Sequence, residues 1–418
     1  MATRGEKVSD EIRSRGEPPH ERAARRGSFL EVFRVFARLG LLSFGGPIAH
    51  LGYFREEVVV RRKWLAEGAY ADLIALCQSL PGPSSSQMGI ALGLTRAGIP
   101  GGIAAWLGFT LPSAILLTLF AYVTAALDTT AEFVWLHGLL VVAVAVVAQA
   151  VLGMARSFCT DTPRATMAIL SSIALLLWPQ STVQIGVIVV AGLIGWGFLR
   201  GSGGQPAAPM AVPIGRRVAV ASLIVFPLLL LGLPILDGAV GEQALSLFDS
   251  FFRVGSLVFG GGHVVLPLLQ QAVVPPGWVS NSQFLAGYAA AQAVPGPLFT
   301  FSAYLGALSA PAPHGWLGAL IALVAIFLPS FLLVIGILPF WSRLRVLEPF
   351  QAALRGINAA VVGLLVAALY HPIWTSAIHT PFDLALALLD FGLLVVWKLP
   401  AWSVVLVSAA GGALLHLL

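Results

Sequence analysis

Charge is scarce in this sequence. Asp, Glu, Lys and Arg make up 10% of its 418 residues, where a soluble domain carries about 25%. That shortage excludes an ordinary soluble domain. Cysteine is scarcer still: only Cys77 and Cys159 occur, with no CxxC. This excludes a disulfide framework and a thiolate metal centre. Also missing are a P-loop, a GxSxG, an HExxH and any paired-carboxylate arrangement, so neither ATP hydrolysis nor a common hydrolase chemistry is written here. The expectation is a protein that is not an enzyme and needs no cofactor or metal. What is abundant is apolar sequence: 58% of residues, with a mean hydropathy of +0.89. Many runs reach the roughly 20 residues that cross a bilayer, so the lipid bilayer is the first partner. The pI of 9.6 does not point to nucleic acid. The basic residues sit mainly in the N-terminal tail and in short loops, as the positive-inside rule expects.

The chain repeats itself. Phe33–Gly46 reads FRVFARLGLLSFGG and Phe248–Gly261 reads FDSFFRVGSLVFGG. Arg38 thereby pairs with Arg253, Gly45 and Gly46 with Gly260 and Gly261. Further on, Trp64 matches Trp278, Gln78 matches Gln292, and Pro81-Gly82-Pro83 matches Pro295-Gly296-Pro297. Then Leu111-Pro112-Ser113 matches Leu328-Pro329-Ser330, and Leu136-His137-Gly138 lines up with Leu354-Arg355-Gly356. Ordered blocks at a nearly constant offset mark a tandem duplication.

Equivalent loops differ in charge. Arg55, Arg61, Arg62 and Lys63 fill one loop of half one, while Gln270 to Gln283 is uncharged. The loop at Asp128 and Glu132 has no basic residue, and its partner holds Arg343 and Arg345. Arg156 and Arg164 flank a third loop, whose partner 371–380 has neither Lys nor Arg. By the positive-inside rule the halves lie in opposite orientations, a recurring plan of secondary transporters. The predicted fold is therefore an all-α polytopic membrane protein of two inverted-topology repeats with broken, re-entrant helices. Residues 1–28 read as a disordered cytoplasmic tail: they are polar and hold no apolar run, so they are no signal peptide. The first repeat covers 29–199, a linker with a connecting helix covers 200–246, and the inverted repeat covers 247–418. Segments 33–54 and 67–96 are expected to be re-entrant. Spans are expected at 99–126, 132–155, 165–180, 182–199, 217–235, 315–340, 351–372, 381–397 and 400–418. The N-terminus is placed in the cytoplasm of a multi-pass inner-membrane protein.

Irregular backbone survives at membrane depth only inside protein or along a polar cavity. The Phe-Gly-Gly and Pro-Gly-Pro blocks supply four such breaks, symmetrically placed. Each break would leave half-helices whose N-terminal N–H groups suit an anion. Candidate substrate contacts are Arg38, Gly45, Gly46, Gln78, Pro81, Gly82, Pro83 and Ser84 in half one. In half two they are Arg253, Gly260, Gly261, Gln292, Pro295, Gly296, Pro297 and Thr300. Intramembrane arginines are costly, and their fork of donors suits oxyanions, although both could instead snorkel. Ser84 and Thr300 could equally cap helix starts. Asp72, whose partner is Ala286, could carry a coupling proton or pair with Arg38. The Trp residues read as an interface belt.

These blocks resemble the chromate ion transporter family in its long-chain, two-domain form. FARLGLLSFGGP, EEVVVRRKWL, the first PGP and GGIAAWLGFTLPS resemble its first domain. FRVGSLVFGGGHVVLP, AVPGPLFTFSAYLGA and IFLPS resemble its C-terminal domain. The resemblance implies efflux of chromate from the bacterial cytoplasm and chromate resistance, with sulfate as a structural analogue. Rival readings are a transporter of sulfate or another small anion, a membrane-embedded enzyme, or a scaffold. A homodimer is compatible with all of them.

Overall fold

The computed structural model describes residues 27–43, 46–126, 134–178, 180–199, 213–258, 265–344 and 346–415. The tail through residue 26, Gly45, Gly260, Gly261, the loop at Asp128 and Glu132, and linker residues 200–212 lie outside these. Every regular element among the described residues is helical. In half one they are α1 (Phe29–Leu42), α2 (Gly46–Arg55, wound on as a π-helix to Arg61), α3 (Glu67–Ser79), α4 (Ser84–Ala126), α5 (Val134–Phe158), α6 (Thr162–Leu177) and α7 (Ser181–Phe198). The connecting helix is α8 (Arg216–Val240). Half two has α9 (Gln243–Leu257), α10 (Val265–Val273), α11 (Asn281–Ala293), α12 (Phe301–Leu308), α13 (Gly315–Ile337), α14 (Glu348–Ala368), α15 (Pro381–Val395) and α16 (Ala401–Leu415). Five helices among the described residues are long and apolar enough to cross a membrane.

Helix ends follow local chemistry, and some differ from the expected spans. The span expected from 165 begins at Thr162, because Asp161 caps it by accepting the Arg164 N–H at 2.9 Å and Pro163 sits in its first turn. The span expected to end at 235 runs to Val240, where Gly241 at φ 67° closes it. Arg355 lies two turns inside α14 and reaches back to Glu348 at 3.4 Å. Among the tryptophans, Trp178, Trp196, Trp316 and Trp397 are exposed as an interface belt requires, but Trp341 is buried in the core.

The two broken segments of half one double back. Ala97 and Gly98 leave helical geometry, with Gly98 at φ 66°, so α4 is two arms, 84–96 and 99–126. A Cβ on Gly93 would sit 2.2 Å from the Gly101 carbonyl, which shows the arms folded against each other. At the end of the first arm, the Arg96 guanidinium lies 5.2 Å over the Trp64 ring and 3.0 Å from Glu31. Trp64 precedes α3 and Glu31 opens α1, so the ends of 29–61 and 67–96 all meet at one mouth. Half two repeats this: Ala310 N–H donates to the Trp278 carbonyl at 3.1 Å, bringing the end of α12 back to the start of α11. The Gly93–Gly101 contact recurs as Gly306 against Gly318.

The mouths face opposite ways. Tyr122, at the far end of α4, accepts the Trp316 N–H at 3.1 Å at the start of α13. Thus α4 ends where half two opens. In turn Leu333, Val334 and Leu338 at the far end of α13 pack in one core with Val32 and Tyr70 of half one. The long helices run antiparallel, and the repeats are inverted.

Lipid tails are as apolar as leucine, so close backbone approach, rather than hydrophobic burial, holds membrane helices together. Gly40 rests on the Gly108 and Phe109 carbonyls, and its equivalent Gly255 on the Ile326 carbonyl. The remaining helices are exchanged between halves. Helix α5 packs on α15 and α16, while α14 packs on α6 and α7. Gly138 abuts the Ser408 carbonyl, and Gly356 abuts the Ala191 carbonyl. Neither half closes its own bundle.

Candidate functional site

The breaks of the two halves meet crosswise. Helix α1 stops at Ser43, whose backbone is extended (φ −86°, ψ 95°). Helix α9 stops likewise at Val258 (φ −77°, ψ 120°). Their carbonyls are no longer used by a helix ladder and need donors. The Pro-Gly-Pro turns supply them. Gly82 N–H donates to the Val258 carbonyl at 2.5 Å, and Gly296 N–H donates to the Ser43 carbonyl at 2.9 Å. Each turn of one half therefore ties down the break of the other. Both glycines hold positive φ, 123° and 104°, a conformation open to glycine and little else.

The Leu-Pro-Ser blocks complete each crossing. A Cβ on Gly82 would fall 2.6 Å from Ser330 Oγ and 2.5 Å from the Gln87 amide nitrogen. One on Gly296 would fall 2.8 Å from Ser113 Oγ. Six repeated blocks, three from each half, thus form two equivalent junctions. Beside them lie buried polar atoms without a protein partner: Ser43 Oγ, Ser86 Oγ, Gln87 Oε1, Ser302 Oγ and Ser330 Oγ. Ser43, Gln87, Ser302 and Ser330 are at 0% exposure. A buried hydroxyl or amide left unpaired costs roughly 1–3 kcal/mol, so these groups have hydrogen-bonding capacity to offer at the junctions. His50 is buried too, edge-on to Phe109 at 5.2 Å. It sits beside the Ser43 carbonyl without an aligned bond.

The expected contact residues divide into two groups. Pro81, Gly82, Pro83, Pro295, Gly296 and Pro297 form the junctions. Ser84 opens α4 beside the first, and Gln292 stands three residues before the second, its amide beside Tyr288. Thr300 is spent on structure: its hydroxyl donates to the Pro297 carbonyl at 2.7 Å. Gln78 is exposed on α3. Arg38 lies on the outward face of α1 with Arg34, Leu41 and Leu42, opposite the face that packs on α4. Arg253 is likewise outward on α9 and is ion-paired with Asp249, which is fully buried. Asp72 is half-buried on α3. Gly46 opens α2. Gln87, Ser43 and Ser330 were not singled out by sequence as contacts, although the Leu-Pro-Ser repeat already carried Ser330.

Comparison with known proteins fits these blocks. The chromate transporter family model matches residues 30–196 and again 245–414. The chain belongs to the chromate transporter family. A chromate transport protein of Pseudomonas aeruginosa is 28% identical over 392 residues, covering 92% of this chain and 91% of that protein. One from Cupriavidus metallidurans is 28% identical over 388 residues, covering 91% of each. A probable chromate transport protein of Synechococcus elongatus is 28% identical over 348 residues, covering 82% of this chain and 84% of that one. No solved structure matches the chain. This member of the chromate transporter family is a multi-pass, all-α membrane protein whose relatives are named as transport proteins.

Proposed function

We propose that this chain exports chromate from the cytoplasm across the inner membrane as a secondary transporter and so confers chromate resistance. The observation that carries this reading is the pair of crossed junctions with unpaired buried hydroxyls and amides. A tetrahedral dianion presents oxygens in every direction, which suits convergent hydroxyl and helix-start N–H donors; the Gln87 amide would reach it through its nitrogen, one hydrogen of which goes to the Pro81 carbonyl at 2.6 Å. The helix starts at Ser84 and Leu298 add partial positive charge at the same place. Arg38, being outward, attracts the anion to the protein rather than enclosing it, while the charge of Arg253 is taken up by Asp249. The basic mouth of half one faces the cytoplasm by the positive-inside rule, which also puts the N-terminus there.

Export is driven by an inside-negative potential at about 2.3 kcal/mol per charge per 100 mV, hence roughly twice that for a dianion. Access alternates as one half rocks against the other. The junctions are the pivots of that motion, since each ties a turn of one half to a break of the other. Sulfate has the same shape and charge and is expected to compete. The test is radiolabelled chromate uptake into energised everted membrane vesicles. Accumulation that sulfate reduces, absent from vesicles lacking the protein, is the expected result. No accumulation with folded protein present would reject chromate as the substrate.

A further inference from the structure

We propose that Asp390 is the site that takes up and releases a coupling proton, reached from the mouth of half two through the His137–Asp383 pair. Helix α15 carries two carboxylates seven residues apart, hence on one face and about 10 Å apart along the axis. Their surroundings are opposite. Asp383 is fully provided for. His137 Nε2 lies 2.6 Å from its Oδ1, and the His379 and Thr380 N–H groups donate to its Oδ2 at 3.0 and 2.8 Å. The His137 and His379 rings stack with centroids 6.5 Å apart. Asp390 has 0% exposure, and neither of its oxygens has a hydrogen-bond partner. Ser408 of α16 stands beside it; since that hydroxyl already donates to the Gly138 carbonyl at 2.8 Å, its oxygen can only accept from Asp390, which requires the carboxyl to carry a proton.

Among the described residues, no cation is ion-paired or hydrogen-bonded to Asp390. Helix α16 contains no titratable residue, α5 has only His137 and Arg156 near its two ends, and α11 has only Tyr288. An ionised carboxylate buried without donor or countercharge is prohibitively costly, so the group carries a proton while it is sealed. It can ionise only when the bundle opens a path to water. His137, whose side chain is 36% exposed, and Asp383 form that path's outer end. They sit at the half-two mouth, where the 373–378 segment packs in one core with Val273 and Val279.

The location ties the carboxylate to the anion site. Helices α5 and α16 pack on α11 through Ala289, with Ala293 against the same cluster, and α11 ends directly before Pro295-Gly296-Pro297. A change of packing around Asp390 is thus delivered to the second junction. Asp72 is a weaker carrier, because it is half-buried and already has a partner.

This inference rests on the chain being a transporter but not on which anion it moves. The test uses full-length protein in liposomes. First, an infrared pH titration without any anion should show a protonated-carboxyl stretching band that Asp390→Asn lacks. Ser408→Ala, which keeps the carboxyl, should shift that band, and this decides the matter even if Asp390→Asn does not fold. Second, proton movement accompanying chromate flux should fall at least tenfold in Asp390→Asn and be partly kept in Asp390→Glu. An unmoved band in both variants, or wild-type proton movement in Asp390→Asn, would overturn the proposal. Absence of any chromate flux in wild type would reject the substrate and leave the infrared result to decide Asp390.

Discussion

At the mouth of half one, Arg55 holds Glu67 through hydrogen bonds of 2.6 and 3.0 Å. The equivalent residues of half two are Gln270 and Asn281, and they make the same connection with neutral groups, Gln270 Nε2 donating to Asn281 Oδ1 at 2.7 Å. The next turn of half one is a network of Arg61 with Glu56 and Arg62 with Glu57. Half two instead opens its next helix with a capping box of Ser280 and Gln283, where half one has Ala66 with no side-chain cap. Deeper in, the same register holds Arg34 in one half and Asp249 in the other. At the breaks the halves agree again, glycine for glycine and carbonyl for carbonyl. The duplicated segments have kept what the middle of the membrane demands, where every backbone group needs a partner inside the protein. They have diverged where the solvent on each side differs, because arginine is tolerated on one side and avoided on the other.

The most decisive way to break this comparison is to ask which side each mouth faces. With Cys77 and Cys159 replaced by serine, Lys63→Cys should react with a membrane-impermeant thiol reagent only in everted vesicles, and Ser282→Cys only in right-side-out ones. Labelling of both from one side would contradict the inversion. Next, Gly82→Ala and Gly296→Ala should each lower chromate flux at least tenfold. A side chain there is strained by about 1–3 kcal/mol and is driven against Ser330 or Ser113. Equal losses would sharpen the equivalence of the junctions, whereas a loss at only one would show that one junction has been given up. Gly138→Leu and Gly356→Leu probe the helix exchange. Each forces a side chain onto a carbonyl about 2 Å from the Cβ position, at a cost of roughly 1–3 kcal/mol, read as a lower melting temperature in detergent.

The smallest effect belongs to the mouth. Replacing Arg55 and Glu67 together by Gln and Asn copies half two and should leave the melting temperature unchanged at neutral pH, since both side chains are well exposed. The hydrogen bonds from Arg55 hold the Glu67 carboxyl below its usual range. Whatever the pair contributes is present above the ordinary glutamate pKa of about 4.3 and is lost as pH falls through the depressed value. The double variant should therefore lose less than wild type on acidification, measured by the same melts at low pH.

Much of this was legible in the sequence because the duplication could be read twice. The blocks named the breaks, and the loop charges named the inversion of one half relative to the other. What the register could not convey was contact: an offset says that Gly82 and Gly296 are equivalent, not that each binds the other half's break. Register also could not say which way the arginines face. Arg38 and Arg253 recur at one register, but helical phase puts them outward, on the face opposite Gly40 and Gly255. Asp390 was visible as a lone carboxylate in an apolar run, and only packing shows that, among the described residues, no cation pairs with it.

One anion site is proposed to lie at the crossed junctions. Chromium is an anomalous scatterer, so crystals of the protein soaked in chromate would locate the ion directly. The account predicts a chromium peak between the two Pro-Gly-Pro turns, within hydrogen-bond reach of Ser43, Gln87 or Ser330. An ordered peak enclosed elsewhere in the bundle, with the junctions empty, would contradict it.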